Sequence, residues 1–160
     1  MPLDQSFVGR SYPLTAPYEV GREKIREFAD AIGDSNPIYR DRAAARALGY
    51  SDVIAPPTFP IVVSMRASHQ VIRDPALGLD YSKVVHGEQQ FQYQRPIQAG
   101  DVLQVRSTVE SIRAVGGNEI LTTRGEVFTV DGELVVTAIS TLVARGTARS
   151  EAPAPVVGEA

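Results

Sequence analysis

From Val84 onward the chain switches to a period of two: Phe91 and Tyr93 fall on one face, and Leu103, Val105 and Val109 alternate with Gln104, Arg106 and Thr108. Successive side chains of a strand point to opposite faces, so the pattern predicts long strands, each buried on one side. Gly116-Gly117-Asn118 and Asp131-Gly132 interrupt these runs, and such dipeptides supply the positive φ of tight hairpin turns. The last strands are therefore predicted to form an antiparallel meander. Pro96 with Ala99-Gly100-Asp101 marks a further turn of the same kind between the first two long strands. A sheet with one apolar face needs a partner layer, and only the first half of the chain is left to supply it.

That first half is punctuated by Gly and Pro and reads as helical. Ile25, Phe28, Ala29 and Ile32 recur at i, i+3, i+4 and i+7, with Glu23 in the first turn and Gly33 suited to the left-handed position after the end. The spacing predicts an amphipathic helix over 22–32. Asp41 is placed to cap a short Ala-rich helix from Arg42 to Leu48, which Gly49 ends. Pro56 and Pro57 stiffen the loop from Asp52 to Thr58, because each fixes its own φ and restricts the residue before it. Thr58 then reads as an N-cap, and Pro60 falls in the first turn, where a missing N–H is tolerated. Phe59, Ile61, Val62, Val63 and Met65 are apolar around most of the helix circumference, so this helix belongs inside. The β-branched run Ile61–Val63 is also compatible with a buried strand; the cap and the proline favour the helix.

A highly apolar helix followed by a long antiparallel sheet has an economical solution, in which the sheet curls around the helix. This predicts an α+β fold, a single hot-dog domain over residues 1–145 with its long antiparallel sheet wrapped around the central helix. Residues 146–160, with Pro153, Pro155 and many small side chains, are predicted to be a disordered tail. One sheet covers such a helix on one side only, so a dimer with continuous sheets is expected.

Composition narrows the partners. At 160 residues the chain suffices for one domain with its own core. Lys and Arg total 16 against 19 Asp and Glu, a net charge of -3, which offers no broad cationic field for nucleic acid or an anionic membrane. Cysteine is absent, which removes disulfides, thiol nucleophiles and thiolate metal sites and makes a reducing cytoplasm the simplest compartment. The strongly apolar segment Ile61–Met65 is far shorter than the roughly 20 residues a membrane helix requires. Neither His69 nor His86 has metal-ligand spacing, no cofactor motif stands out, and phosphate-loop, dinucleotide-loop, serine-elbow and zinc-helix patterns are missing. Ser64 and Ser68 have no evident histidine partner in sequence.

The segment Asp34-Ser35-Asn36-Pro37-Ile38-Tyr39-Arg40-Asp41 resembles the hydration loop of MaoC-type R-specific enoyl-thioester hydratases, whose pattern is D-x-N-P-[hydrophobic]-H-x-D. The likeness continues through Ile54-Ala-Pro-Pro-Thr-Phe59, His86-Gly-Glu-Gln-Gln-Phe-Gln-Tyr93, Arg95-Pro96 and Ala99-Gly100-Asp101, so that it spans about residues 8–145. With Tyr18-Glu-Val-Gly-Arg-Glu-Lys-Ile-Arg-Glu-Phe28 it is most similar to N-terminal-type MaoC dehydratase domains. These include an actinobacterial dehydratase-like family and accessory subunits of (3R)-hydroxyacyl-carrier-protein dehydratases. The resemblance implies an acyl-CoA or acyl-carrier-protein thioester as ligand, with Asp34 and Tyr39 at the catalytic positions and Asn36, Pro57, Thr58 and His86 around the substrate.

Two departures stand out against that pattern. In the enzymes this loop resembles, an aspartate and a histidine five positions later activate the water. Histidine suits proton transfer near pH 7 because its free pKa is about 6.5, whereas tyrosine, near 10, keeps its proton and serves as a hydrogen-bonding group. The resemblance also places Pro57 where those enzymes use a backbone N–H to hold the thioester oxygen, and proline has none. Thr58 N–H, or another amide at the positively polarised start of the helix, is the substitute on offer.

Blander readings stand beside these. Asp34 and Asn36 suit an Asx-type turn after a helix, Asp41 suits a helix cap, His69 suits the C-terminal end of a helix, and His86 suits a strand end. Arg95 is read either as a solvated strand end or as a contact for a phosphopantetheine or CoA phosphate. Three functions follow: an acyl-binding subunit that works as a heterodimer with a catalytic hot-dog chain, a self-sufficient homodimeric hydratase or dehydratase, and a non-catalytic acyl-thioester-binding protein.

Overall fold

A computed structural model describes residues 2–148. A two-residue strand β1 (Tyr18–Glu19) leads to helices α1 (Arg22–Ala31), α2 (Arg42–Ala47) and α3 (Ile61–Ile72). Four long strands follow, β2 (Val84–Tyr93), β3 (Val102–Val115), β4 (Asn118–Thr129) and β5 (Leu134–Ala144). The strands pair antiparallel in the order β1-β3-β4-β5-β2. The predicted meander is present as β3, β4 and β5. Val115 faces Asn118 across a two-residue turn in which Gly116 and Gly117 have φ of 56° and 80°, the left-handed values a tight hairpin requires.

The segment around Pro96 and Ala99-Gly100-Asp101 is not a hairpin. β2 pairs with β5, whereas β3 lies beside β1, so residues 94–101 cross between opposite sides of the sheet. Hydrogen bonds from Gln94 N–H to Val135 C=O (2.8 Å), Ala99 N–H to Val53 C=O (3.0 Å) and Gly100 N–H to Val20 C=O (2.9 Å) hold the crossover down. Local turn signals cannot distinguish a hairpin from a crossover, because both need the same φ values.

α3 lies against β3 and β4 with Val63, Ser64, Ala67 and Val71 buried. The sheet covers only one side of it: Met65, expected inside, is 47% exposed in this chain. Thr58 is not the N-cap. Phe59 N–H bonds Pro56 C=O and Ile61 N–H bonds Thr58 C=O, so tight i→i+3 turns precede α3, whose cap position is Pro60. Such turns commonly precede α-helices and satisfy their orphan groups without a side-chain cap.

In α1, Ile25 and Ala29 are fully buried, and Phe28 meets Phe59 edge-on at 5.4 Å. Ile32, predicted on the same buried stripe, is 48% exposed. It is already the C-cap, with φ -91° and ψ 0°, and has left the helical register that would have turned it inward.

The N-terminal segment lies along the outer edge of β3. Gly9, Tyr12, Thr15 and Val20 donate their N–H groups to the carbonyls of Val109, Ser107, Val105 and Asp101 at 2.8–3.0 Å. Of the predicted tail 146–160, residues 149–160 lie outside the described residues. Gly146 N–H bonds Asn118 Oδ1 (3.0 Å) and Thr147 Oγ1 donates to Ala144 C=O (3.1 Å). Among the described residues no helix is long and apolar enough to cross a membrane.

Candidate functional site

The loop after α1 is shaped by a chain of backbone and side-chain caps. Gly33, at φ 72°, sends its N–H to Asp30 C=O (3.1 Å), and Asp34 N–H returns to Ala29 C=O (2.9 Å). These two bonds form the paired closure of a Schellman end. Asp34 Oδ1 then accepts from Asn36 N–H (3.0 Å), and Asn36 Oδ1 accepts from Ile38 N–H (3.1 Å) to cap a single 3-10 turn, Pro37–Tyr39. Asp41 Oδ1 caps α2 through Ala43 N–H (2.8 Å). Arg40 locks the loop from outside by donating to Asp34 C=O and pairing with Asp30. The Asx-turn reading of Asp34 and Asn36 and the cap reading of Asp41 thus describe real bonds.

These turns drive Ile38 and Tyr39 inward, leaving Tyr39 only 7% exposed. Tyr39 lines an apolar cavity of about 300 Å³ together with Ile54, Ala55, Pro57, Tyr93 and the segment 94–96. Burial, with the nearby Asp34 carboxylate adding to it, raises the Tyr39 pKa above the ordinary tyrosine value. At neutral pH the side chain is a neutral phenol, not a base. Tyr93 donates its hydroxyl to Pro57 C=O (2.7 Å), and burial and the neighbouring Tyr39 push its pKa far above the tyrosine range.

Thr58 and His86 belong to a second hollow. An open groove of about 450 Å³ is lined by Phe28, Thr58, Ile61, His86, Gln89 and Phe91. In the turn Pro56–Phe59 the Phe59 N–H is bonded, whereas Thr58 N–H makes no hydrogen bond among the described residues. A register shift in β2 between His86 and Glu88 puts His86 and Gln89 on the same, α3-facing side, where strict alternation would separate them. His86 Nε2 lies 3.1 Å from Ser140 Oγ. His69, at the end of α3, shares with His86 a small cleft of about 40 Å³ that also touches Ser64 and Ser68. Ser68 Oγ bonds Ser64 C=O (3.1 Å) rather than either histidine.

The predicted site residues therefore sort into three places. Tyr39 and Pro57 share the apolar cavity; Asp34 lies near enough to act on Tyr39 electrostatically, while exposed Asn36 builds the loop. Thr58 and His86 share the groove on the other side of the α3 lead-in. Tyr93, which closes the cavity against Pro57, was legible in sequence as a strand residue ending the His86–Tyr93 likeness but not as a member of the site.

Arg95 fits neither of its two readings. Its guanidinium bonds Asp101 (2.8 and 3.0 Å), Glu133 (2.8 and 3.0 Å) and Pro96 C=O (3.0 Å). All five donors are engaged, so none remains for a phosphate, and the two carboxylates raise its pKa further. A larger hollow of about 490 Å³ near the β3–β4 hairpin is lined by Pro2–Gln5, Ala114 and Glu119. Both Glu119 carboxylate oxygens accept from Leu3 N–H (3.0 and 2.9 Å), which makes it an anchor for the N-terminal segment. Among the described residues no group of three or more His, Asp or Glu side chains is arranged to hold a metal ion.

A family model described as "FAS1-like, dehydratase domain region" matches residues 6–138. A UPF0336 protein of Streptomyces avermitilis is 65% identical over 145 residues, which cover 91% of this chain and 97% of the relative. Among solved structures, a C-terminally truncated HadBC (3R-hydroxyacyl-ACP dehydratase) complex from Mycobacterium tuberculosis matches with TM-score 0.77 and 33% identity, covering 86% of this chain and 96% of that one. A MaoC-like dehydratase matches with TM-score 0.82 and 37% identity, covering 88% of this chain but only 43% of that longer one. The curled sheet and its helix are thus the hot-dog fold of MaoC-like dehydratases.

Proposed function

This chain belongs to the FAS1-like dehydratase region family, and from that premise we propose that it is the acyl-binding half of a hydroxyacyl-thioester dehydratase or enoyl hydratase, working beside a hot-dog partner that supplies the proton-transfer groups. The observation that carries the reading is the pairing of Tyr39 and Pro57 in one apolar cavity. A buried neutral phenol stands where a base is needed, and a residue without N–H stands where an oxyanion donor is needed. The cavity and the adjoining groove nevertheless keep room for an acyl chain: about 300 and 450 Å³ fall in the range of small-molecule sites.

The open side of the groove suits a partner. β2 is the edge strand opposite β1, its inward residues Gln89 and Phe91 line the groove, and the bare flank of α3 with Met65 lies uncovered. A second hot-dog chain pairing along β2 would cover all three, as a heterodimer or a homodimer. The heteromeric HadBC complex is similar in fold and one-third identical.

The test is to purify the chain alone and together with whatever hot-dog chain co-purifies from its native cell. Acyl-CoA should raise the melting temperature of the chain alone, as any ligand of the folded state does. Hydration of crotonyl-CoA or longer enoyl thioesters should need the partner. Equal turnover by the chain alone would overturn the reading in favour of a self-sufficient hydratase, whose one specific support is the free Thr58 N–H in the same groove as His86.

A further inference from the structure

Pro57 and Thr58 are joined by one peptide plane whose two polar ends face different hollows. The bond is trans, so its C=O and N–H point in opposite directions. On the C=O side Pro57 and Tyr93 line the apolar cavity, and the Tyr93 hydroxyl donates to Pro57 C=O at 2.7 Å. On the N–H side Thr58 lines the groove with His86 and Gln89, and its N–H makes no hydrogen bond among the described residues.

Two restraints hold that plane. Phe59 N–H bonds Pro56 C=O at 2.9 Å, which closes a four-residue turn with Pro57 and Thr58 at its centre. Such a turn has two forms that differ by a half-rotation of the central peptide, and the flipped form needs a positive φ at its third residue. No non-glycine residue has a positive φ among the described residues, and the β-branched Thr58 resists one. Tyr93 is the second restraint, because a flip would turn Pro57 C=O away from its hydroxyl and break their bond. The donor is thus set before a ligand arrives, and an N–H, which has no lone pair to offer, calls for an acceptor oxygen.

Resting on the acyl-binding reading, we propose that Thr58 N–H holds the thioester carbonyl oxygen of a ligand in the groove, and that Tyr93 is the positioning residue that aims this amide from the far side of its peptide plane. The donor that Pro57 lacks has moved on by one residue. It binds and transfers no proton, so turnover still needs the partner.

Calorimetry on the full chain tests this with two ligands of one length: an acyl-CoA thioester and the S-alkyl-CoA thioether, which has no carbonyl. The wild type should bind the thioester about three- to tenfold more tightly, the range expected for one neutral hydrogen bond. Thr58→Gly permits the flip but leaves the Tyr93 bond in place, and should keep the preference. Adding Tyr93→Phe to it should bring the ratio to about one while changing the thioether affinity by less than about twofold, which also shows that the variant is folded. Loss of the preference already in Thr58→Gly removes Tyr93 from the positioning role, and a preference that survives the double variant removes Thr58 N–H from the contact; either overturns the proposal. Equal weakening of both ligands overturns it as well, because a merely structural change would do that. Wild-type binding of both without preference overturns it while leaving the acyl-binding reading intact; binding of neither overturns both.

Discussion

Asp52 collects more charge than any other carboxylate near the site. Arg22 binds it through Nε (3.0 Å) and Nη2 (2.7 Å), Arg42 approaches at 3.6 Å, and its own Oδ1 accepts from Val53 N–H (2.8 Å). The Arg22 hydrogen bond, with Val53 N–H and the arginine charges adding to it, lowers its pKa from 3.8 to about 2. A lowered folded-state pKa stabilises the native state above the unfolded value and is lost as pH falls through the folded one. The stabilising effect of Asp52 is therefore complete above about pH 4 and drains away toward pH 2. Asp52→Asn should lower stability at pH 7 by about 1–2 kcal/mol, a figure reduced for the exposure of Arg22. It should also flatten the fall in melting temperature between pH 4 and 2, read by circular dichroism. An undiminished acid slope in the variant would remove Asp52 from the explanation. None of this was legible in the sequence, because Arg22 and Asp52 are joined only when α1 folds back beside the Pro-rich loop. Arg95 is the same case: Glu133 reaches it across the sheet, and no spacing announces that.

Among the elements, α1 shows how a local signal carried through to the site. Its period, its end at Gly33 and the capped turn at Asp34-Ser35-Asn36 were all readable, because each depends on residues within five positions of one another. Gly33 sits at φ 72° with nothing near the place a Cβ would occupy, so the obstacle to a side chain is backbone conformation alone. Gly33→Ala should cost about 1 kcal/mol in chemical denaturation and loosen the loop that drives Tyr39 inward. The separation matters: a larger loss would mean that the Schellman bonds to Asp30 and Ala29 break as well. Thr58 shows the opposite outcome. Its type matched an N-cap, yet Pro60 has no N–H to offer its side chain and Ile61 N–H bonds the Thr58 carbonyl instead, so a tight turn replaced the cap. The meeting of Tyr39, Pro57 and Tyr93 depends on the crossover at 94–101, whose path the sequence pattern mistook for a hairpin.

At the scale of the molecule, the strand alternation and the apolar helix were enough to anticipate the fold, since Leu103, Val105 and Val109 are fully buried as their period required. The N-terminal strap along β3 was invisible, because it is held mostly by backbone bonds that any residues could make. It has a measurable signature. Hydrogen exchange on the isolated chain should find the bonded amides of Gly9, Tyr12 and Thr15 protected, and the β2 amides that do not face β5 fast. Addition of the partner should slow the β2 amides alone. Slowing along β3 instead would place the partner on the wrong edge. A sheet ordinarily has two sticky margins and could grow in either direction without limit. Here the chain lays its own first residues along one margin, where the edge strand β1 is two residues long, while β2 at the other margin runs ten. On the proposed reading a partner meets one long margin and one short, broken one, which favours a pair over a growing fibre.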